Sequence, residues 1–196
     1  RDDDDAAKEL SDMLEEGHVN IYMFHGGTNF GFYNGCSYHN GQDPQTTTYD
    51  YDAPLNAWGN PSDKYQAFKK VISEYTKIPE IKLSTDIKFK NYGSIKLSNK
   101  VSLFSTLDKI AKPIHNDITL NMEKLNQNFG YILYRANIGK KRTFEKAKLA
   151  DCDDRAQVFI NEKHVVTQYK ETMGENIPLT LDKEDNNIID ILVENL

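Results

Sequence analysis

The segment from Val19 to Tyr51 reads VNIYMFHGGTNFGFYNGCSYHNGQDPQTTTYDY. Its first six residues, 19–24, are nearly all apolar, which is typical of a strand buried on both faces of a parallel sheet. Residues 22–51 then hold eight aromatic side chains and five of the chain's 11 glycines. A loop this long in a compact domain is usually functional or disordered, and its aromatic content argues against disorder.

The loop that follows residue 24 mixes aromatic rings with Asn, Thr and His side chains. Aromatic faces beside hydrogen-bonding groups suit a ligand that is polar at its edges and apolar on its faces. A sugar is a ligand of this kind. The loop is therefore the candidate binding region of the chain.

Two predicted helices flank this segment. Residues 3–16 place apolar side chains at helical spacing, and the aspartates at 2–5 suit the positive end of a helix dipole. Residues 62–76 repeat the amphipathic pattern, with Ser62 as the predicted N-cap. The succession of helix, buried strand, loop and helix predicts an α/β arrangement.

The pattern changes to short strands separated by turn residues after Ile78-Pro79. Regularly spaced short strands are typical of a β-sandwich or jelly roll. The predicted domains are therefore an α/β portion at 1–77, a linker at 78–85 and a β-sandwich at 86–196. The candidate strands are 87–90, 94–97, 101–104, 118–121, 130–138, 145–150, 155–160, 164–168, 177–181 and 187–193.

The composition argues against several classes of function. The net charge of −6 disfavours nucleic-acid binding, because phosphates attract a basic surface. No apolar run approaches the ~20 residues that span a bilayer. The histidines are scattered without ligand spacing, so we expect neither a metal site nor a cofactor. Cys36 and Cys152 are predicted to be unpaired thiols, which favours a reducing compartment such as the cytoplasm.

Two blocks of sequence carry a resemblance to a known family. Residues 20–31, NIYMFHGGTNFG, and 48–55, TYDYDAPL, are similar to consecutive blocks of glycoside hydrolase family 35, the β-galactosidases. The resemblance extends over nearly the whole chain and includes the β-domain that follows the catalytic barrel of that family. Further matching stretches are 59–65, 129–135, 154–156 and 192–195.

The fold that this resemblance implies is a (β/α)8 barrel followed by β-sandwich domains. A whole barrel needs ~250 residues, so only its end fits here, with 19–24 as the eighth strand and 62–76 as the eighth helix. An upstream barrel portion would then be a missing partner, and the sandwich would be truncated at its C-terminus. Because such a piece leaves strand edges unpaired, we expect residues 1–76 to pack poorly or to lean on the β-region.

The activity that the resemblance implies is retaining hydrolysis of terminal β-D-galactosides by two glutamates about 5–5.5 Å apart. The resemblance places both glutamates upstream of Arg1, so no catalytic residue is assigned here and this chain alone is expected to be inactive. Its partner is a galactoside or oligosaccharide. Tyr51 resembles a tyrosine that hydrogen-bonds galactose, with barrel packing as the alternative. Tyr22 resembles a tyrosine close to the nucleophile, with a core aromatic position as the alternative.

The remaining polar residues of the loop favour structural roles. Asp50 and Asp52 flank Tyr51, and alternation would point both away from it. We expect them to make structural hydrogen bonds to nearby backbone or arginine. Loop structure or packing is also the simpler role for Thr28, Asn29, His25 and Cys36.

Two other classes of function stay open. One is a non-catalytic carbohydrate-binding module built on the β-region, with the aromatic loop as a lid. It predicts that this chain binds galactose without any barrel. The other is a scaffold or interaction domain, which rests only on the absence of assigned catalytic carboxylates.

Overall fold

The computed structural model divides the chain into two compact units. The first comprises Arg1–Asn34 and Gln45–Ser94, and the second comprises Gly35–Pro44 and Ile95–Leu196. The residues that the structure describes are 2–45, 47–49, 51–82, 87 and 89–196. None of the helices among them is long and apolar enough to cross a membrane.

The two amphipathic segments of the sequence form the helices of the first unit. Helix α1 (Asp3–Glu16) begins at Asp2, whose side chain accepts a hydrogen bond from the Asp4 backbone N–H. Helix α2 (Asp63–Tyr75) begins at Ser62, which caps the Tyr65 backbone N–H. The two helices pack together, and both sequence predictions are confirmed.

The strand predicted at 19–24 is wrong. Residues 18–21 have no regular structure, and the chain turns at 22–23. Pairing begins only afterwards, at an isolated parallel bridge between His25 and Leu55. A parallel strand is held by hydrogen bonds to its neighbours. Within the described residues, no strand lies beside 19–24 to supply those bonds.

The second unit contains the β-structure. Its strands are β1 (Cys36–Tyr38), β2 (Gln42–Pro44), β3 (Tyr131–Asn137), β4 (Arg142–Ala147), β5 (Arg155–Ile160), β6 (Lys163–Gln168), β7 (Ile177–Leu181) and β8 (Ile188–Glu194). Two short 3₁₀ turns (Phe104–Thr106 and Glu123–Leu125) and helix α3 (Leu107–Ile110) lie between β2 and β3 in the second unit.

Every pairing between these strands is antiparallel. Strands β1 and β2 form a hairpin, β3, β8, β5 and β6 form a four-stranded sheet in that order, and β4 pairs with β7. The hairpin is part of the aromatic loop in sequence but belongs to the second unit, where Lys170 lies 5.6 Å from the centre of the Tyr38 ring.

The four-stranded sheet and the β4–β7 pair enclose one hydrophobic core. Alternate residues of β5 and β7 are buried, as expected for strands with one face inward. The buried members of the core are Val158, Ile160, Ile177, Leu179 and Leu181. Two packed antiparallel sheets make a β-sandwich, so the predicted all-β domain is confirmed.

The strand predictions are close to the structure toward the C-terminus and wrong between residues 94 and 121. Those at 155–160 and 177–181 agree with β5 and β7, and four others are displaced by only a few residues. Those at 94–97, 101–104 and 118–121 are wrong, because their local alternation finds no partner strand in the described residues. Lys88, within the candidate strand 87–90, lies outside the described residues.

Candidate functional site

The two blocks that carry the resemblance lie side by side in the first unit. The backbone N–H of Asn29 donates to the carbonyl of Thr47 at 2.7 Å, and that of Tyr49 donates to Gly27 at 3.2 Å. The N–H of Leu55 donates to Phe24 at 3.0 Å. Backbone pairing therefore holds 24–29 against 47–55.

This pairing brings together three tyrosines. The hydroxyl group of Tyr22 lies close enough to that of Tyr49 for side-chain hydrogen bonding to raise the pKa of Tyr49. The rings of Tyr49 and Tyr51 lie 5.2 Å apart, centre to centre, and are tilted by 45°. Both residues predicted from sequence, Tyr22 and Tyr51, thus belong to one group, which we call the tyrosine cluster, with Tyr49 between them.

The tyrosine cluster presents its outer members to solvent. Tyr22 is 82% exposed and Tyr51 is 75% exposed, whereas Tyr49 is half-buried. The hydrogen bond to Tyr22 raises the pKa of Tyr49 above its ordinary value, and partial loss of solvent adds to the shift. Tyr49 therefore stays a neutral phenol, able to donate and accept, at physiological pH.

A left-handed turn sets the direction of Tyr51. Tyr51 and Asp52 have φ angles of 53° and 54°, a region that residues other than glycine adopt infrequently. The backbone therefore turns here, and the alternating geometry expected around Tyr51 is wrong. Asp50, the other carboxylate predicted to flank it, lies outside the described residues.

Lys64 anchors this turn from the first turn of α2. Its ammonium group donates to the backbone carbonyl of Asp52 at 2.9 Å and also forms an ion pair with the Asp52 carboxylate. Asp3 of α1 lies 3.7 Å away on the same ammonium. Hydrogen bonding to Lys64 lowers the pKa of Asp52. Asp52 thus makes a structural hydrogen bond, as predicted, but its partner is a lysine and not an arginine.

The residues between the turn and α2 are fixed by Ser62. Its hydroxyl donates to the carbonyl of Pro54 at 2.8 Å, and its backbone N–H donates to the same oxygen at 3.0 Å. The side chain of Phe24 meets the ring of Tyr65 edge-on, with 5.9 Å between ring centres. The helix therefore holds both ends of the paired segment.

The other candidates of the loop either take part in the backbone pairing or lie in the second unit. Thr28 forms a backbone bridge with Thr48, next to the Asn29 bond, and His25 forms one with Leu55. Cys36 lies in β1 of the second unit, and its thiol points to the carbonyl of Ser37. No group of three potential ligands close enough to hold a metal occurs among the described residues.

Tyr49 is the residue that sequence reasoning missed. Its hydrogen bond to Tyr22 joins positions 27 residues apart in sequence, and no local pattern predicts a contact of that range. The available signal was the Tyr-Asp-Tyr spacing of 49–51, which places a second aromatic ring beside Tyr51.

Comparison with protein families places these two blocks in a known context. Residues 1–75 match the family described as glycosyl hydrolases family 35, and residues 119–196 match the first all-beta domain of beta-galactosidase. Residues 1–75 thus belong to glycosyl hydrolases family 35. Both family matches fall where the sequence blocks predicted them.

The individual relatives that match are named as beta-galactosidases. Beta-galactosidase 8 of Oryza sativa subsp. japonica is 37% identical over 168 residues, 81% of this chain and 25% of the relative. Beta-galactosidase of Xanthomonas manihotis is 33% identical over 194 residues, 96% of this chain and 32% of the relative. Beta-galactosidase of Felis catus is 34% identical over 196 residues, 97% of this chain and 29% of the relative.

The chain thus spans between 25% and 32% of the length of these three relatives. The barrel portion is indicated by the match over 1–75, where the structure shows two helices and a paired loop.

Proposed function

We propose that this chain supplies part of the galactose pocket of a retaining β-galactosidase, which hydrolyses terminal β-D-galactosyl residues. The observation that supports it best is the tyrosine cluster. Tyr22 and Tyr51 resemble sugar-site residues in sequence, and both lie beside Tyr49: Tyr22 raises its pKa through side-chain hydrogen bonding, and the ring of Tyr51 contacts its ring. The names of the relatives point to the same substrate class.

The chemistry of the cluster suits a sugar. A phenol hydroxyl both donates and accepts, and can therefore bond a sugar hydroxyl in either sense. The ring faces offer apolar surface for the C–H faces of a pyranose. Tyr49 acts on Tyr22 and Tyr51 as a positioning residue in this proposal, because its hydroxyl and ring are already engaged by them.

Lys64 and Asp52 complete the proposed pocket without touching the substrate. The left-handed turn at 51–52 is an uncommon conformation that its surroundings must hold. The buried ammonium of Lys64, only 7% exposed as a residue, holds it through two bonds to Asp52. The direction of the Tyr51 ring then depends on α2.

The two catalytic glutamates of the proposed enzyme lie upstream of this chain. Retention requires a nucleophile and an acid/base about 5–5.5 Å apart, and the family resemblance assigns neither role to a residue here. The proposal keeps the predicted organisation, with 1–77 as the end of a barrel, 78–85 as a linker and 86–196 as a sandwich.

The test compares this chain with a longer polypeptide that joins it to the upstream barrel. We expect no hydrolysis of a chromogenic β-galactoside by the chain alone and clear turnover by the longer form. Turnover by the chain alone would show that the carboxylates have been placed wrongly.

Tyr51 is tested in the longer form. Tyr51→Phe should lower kcat/KM about two- to tenfold, the value of one hydrogen bond. Tyr92→Phe, which removes an exposed hydroxyl outside the cluster, should leave it unchanged. Equal kinetics for the two variants would remove Tyr51 from the pocket.

A further inference from the structure

The second unit contains a cavity of about 360 Å³ that the proposed galactose pocket does not use. It lies at one end of the sandwich, between the four-stranded sheet and two segments, 119–123 and 149–154. Its volume is within the range of small-molecule sites, roughly 300–1,000 Å³. All of its lining comes from the second unit.

The floor of the cavity is an extension of the sandwich core. Ala156 follows the inward alternation of β5, and Ile191 and Val193 of β8 lie across the ladder from Tyr134 and Ile132 of β3. Further along, the same face is covered by β4 and β7. At the cavity, no strand among the described residues covers this face of the sheet, and Ile191 and Val193 stay partly exposed.

The rim of the cavity is acidic. Glu123, Asp151, Asp153 and Asp154 all line it, and none of the described residues that line it is Lys or Arg. The nearest arginine in sequence, Arg155, points to the opposite face of the sheet, where it pairs with Glu194 at 2.7 Å. The carboxylates of the rim therefore lack a cationic partner within the cavity lining.

An apolar floor beneath carboxylates selects ligands by both shape and charge. Moving a hydrocarbon chain from water onto Ile132, Ile191 and Val193 is favourable, because apolar surface is removed from water. A positive group at the rim gains attraction that a neutral or negative group does not. The two features point to one ligand chemistry.

We propose that this cavity binds a small alkylammonium ion, with its hydrocarbon chain on the sheet and its ammonium group among the carboxylates of 151–154. This role is separate from the galactose pocket and does not depend on it. Asp154 already accepts a hydrogen bond from the Leu196 backbone N–H at 3.3 Å, so Asp151 and Asp153 are the principal partners of the ammonium group.

The test uses three probes of one chain length: hexylammonium, hexan-1-ol and hexanoate. Each is titrated into the whole chain and followed by amide NMR shifts. We expect saturable binding of hexylammonium, with shifts confined to residues that line the cavity. At low salt its affinity should exceed that of hexanoate on the order of tenfold, and the two affinities should converge at high salt. Equal affinity for hexan-1-ol and hexylammonium, or no saturation, would overturn the proposal.

Matched variants separate the rim from general surface charge. Asp153→Asn should weaken hexylammonium binding about two- to fivefold, the range for one exposed ion pair. Glu145→Gln removes an exposed carboxylate of β4 outside the cavity and should change nothing. Asp151→Asn is a second variant that preserves the fold, because Asn tolerates the φ of 54° found there. Unchanged affinity in both rim variants would overturn the proposal.

Cys152 provides an independent readout. Its thiol lines the cavity, whereas Cys36 lies in β1 and is not part of the lining. Saturating hexylammonium should slow alkylation of Cys152 at least severalfold and leave the rate at Cys36 unchanged. Equal protection of both thiols, or of neither, would contradict binding at this cavity.

Discussion

Strand β5 and residues 19–24 are both apolar segments, yet their surroundings differ completely. β5 is hydrogen-bonded to β8 along one edge and to β6 along the other. Val158 in its middle is fully buried. Residues 19–24 have no strand beside them in the described part of the chain, and Tyr22 is 82% exposed.

The difference shows what a strand needs besides an apolar sequence. Each backbone N–H and C=O of a buried strand requires a partner, which neighbouring strands supply. The second unit provides antiparallel neighbours from its own residues, so its apolar segments form strands. In the first unit the hydrogen bonds around this segment instead join the loop to itself and to α2.

The largest expected effect comes from truncating the sandwich core. Leu181→Ala removes a side chain that is 1% exposed and should lower the free energy of unfolding of the second unit by about 2–5 kcal/mol. Ile21→Ala changes a half-buried residue of the unpaired segment and should cost about 0.5 kcal/mol or less. Urea unfolding, read separately for each unit by amide exchange, measures both.

Amide exchange in the unmodified chain is the control for this comparison. The amides of 131–137, paired with β8, should be protected, whereas those of 19–24 should exchange nearly as fast as in an unfolded chain. Equal protection of the two segments, or equal costs of the two substitutions, would remove the contrast between the units.

Features set by neighbours close in sequence were the predictable ones. The helices at 3–16 and 62–76 follow from helical spacing and caps within a few residues. Strands β5 and β7 follow from alternation bounded by turns. The strand prediction at 19–24 failed because a strand needs partners from elsewhere in the sequence, and residues 19–24 have none in the described part of the chain.

The same division holds at the candidate site. Tyr22 and Tyr51 were found through sequence blocks that resemble a family. The links between positions, Tyr22 with Tyr49 and Asp52 with Lys64, are contacts of long sequence range that a single sequence does not reveal. The left-handed turn at Tyr51 was missed for the same reason, since Lys64 holds it from another element.

A smaller effect is expected from the anchor of that turn. Lys64 lowers the pKa of Asp52, so this carboxylate stabilises the folded turn above its unfolded pKa of about 3.9, and the contribution is lost as pH falls through the folded pKa. The Asp52 side chain is 65% exposed, and screening by solvent limits the contribution to about 0–1 kcal/mol. NMR shifts of the Tyr51 ring between pH 5 and pH 2 follow the loss.

Two lysine substitutions in α2 test this anchor. Lys64→Met should abolish the acid transition at Tyr51, because the partner of Asp52 is gone. Lys69→Met replaces an exposed lysine of the same helix and should preserve it. If the acid transition survives in Lys64→Met, contacts other than Lys64 hold the turn.

The smallest expected effect is the titration of Tyr49, and it bears most directly on the tyrosine cluster. The hydrogen bond with Tyr22 favours the neutral phenol and raises the pKa of Tyr49. Tyr22→Phe should therefore lower the Tyr49 pKa toward its ordinary value, whereas Tyr92→Phe, outside the cluster, should not. Because the folded pKa is raised, the bond stabilises the loop below the unfolded pKa of about 10 and is lost as pH rises through the folded pKa. Ring-carbon NMR shifts of Tyr49 measure the titration, and an identical midpoint in both variants would mean that Tyr22 and Tyr49 are not joined in solution.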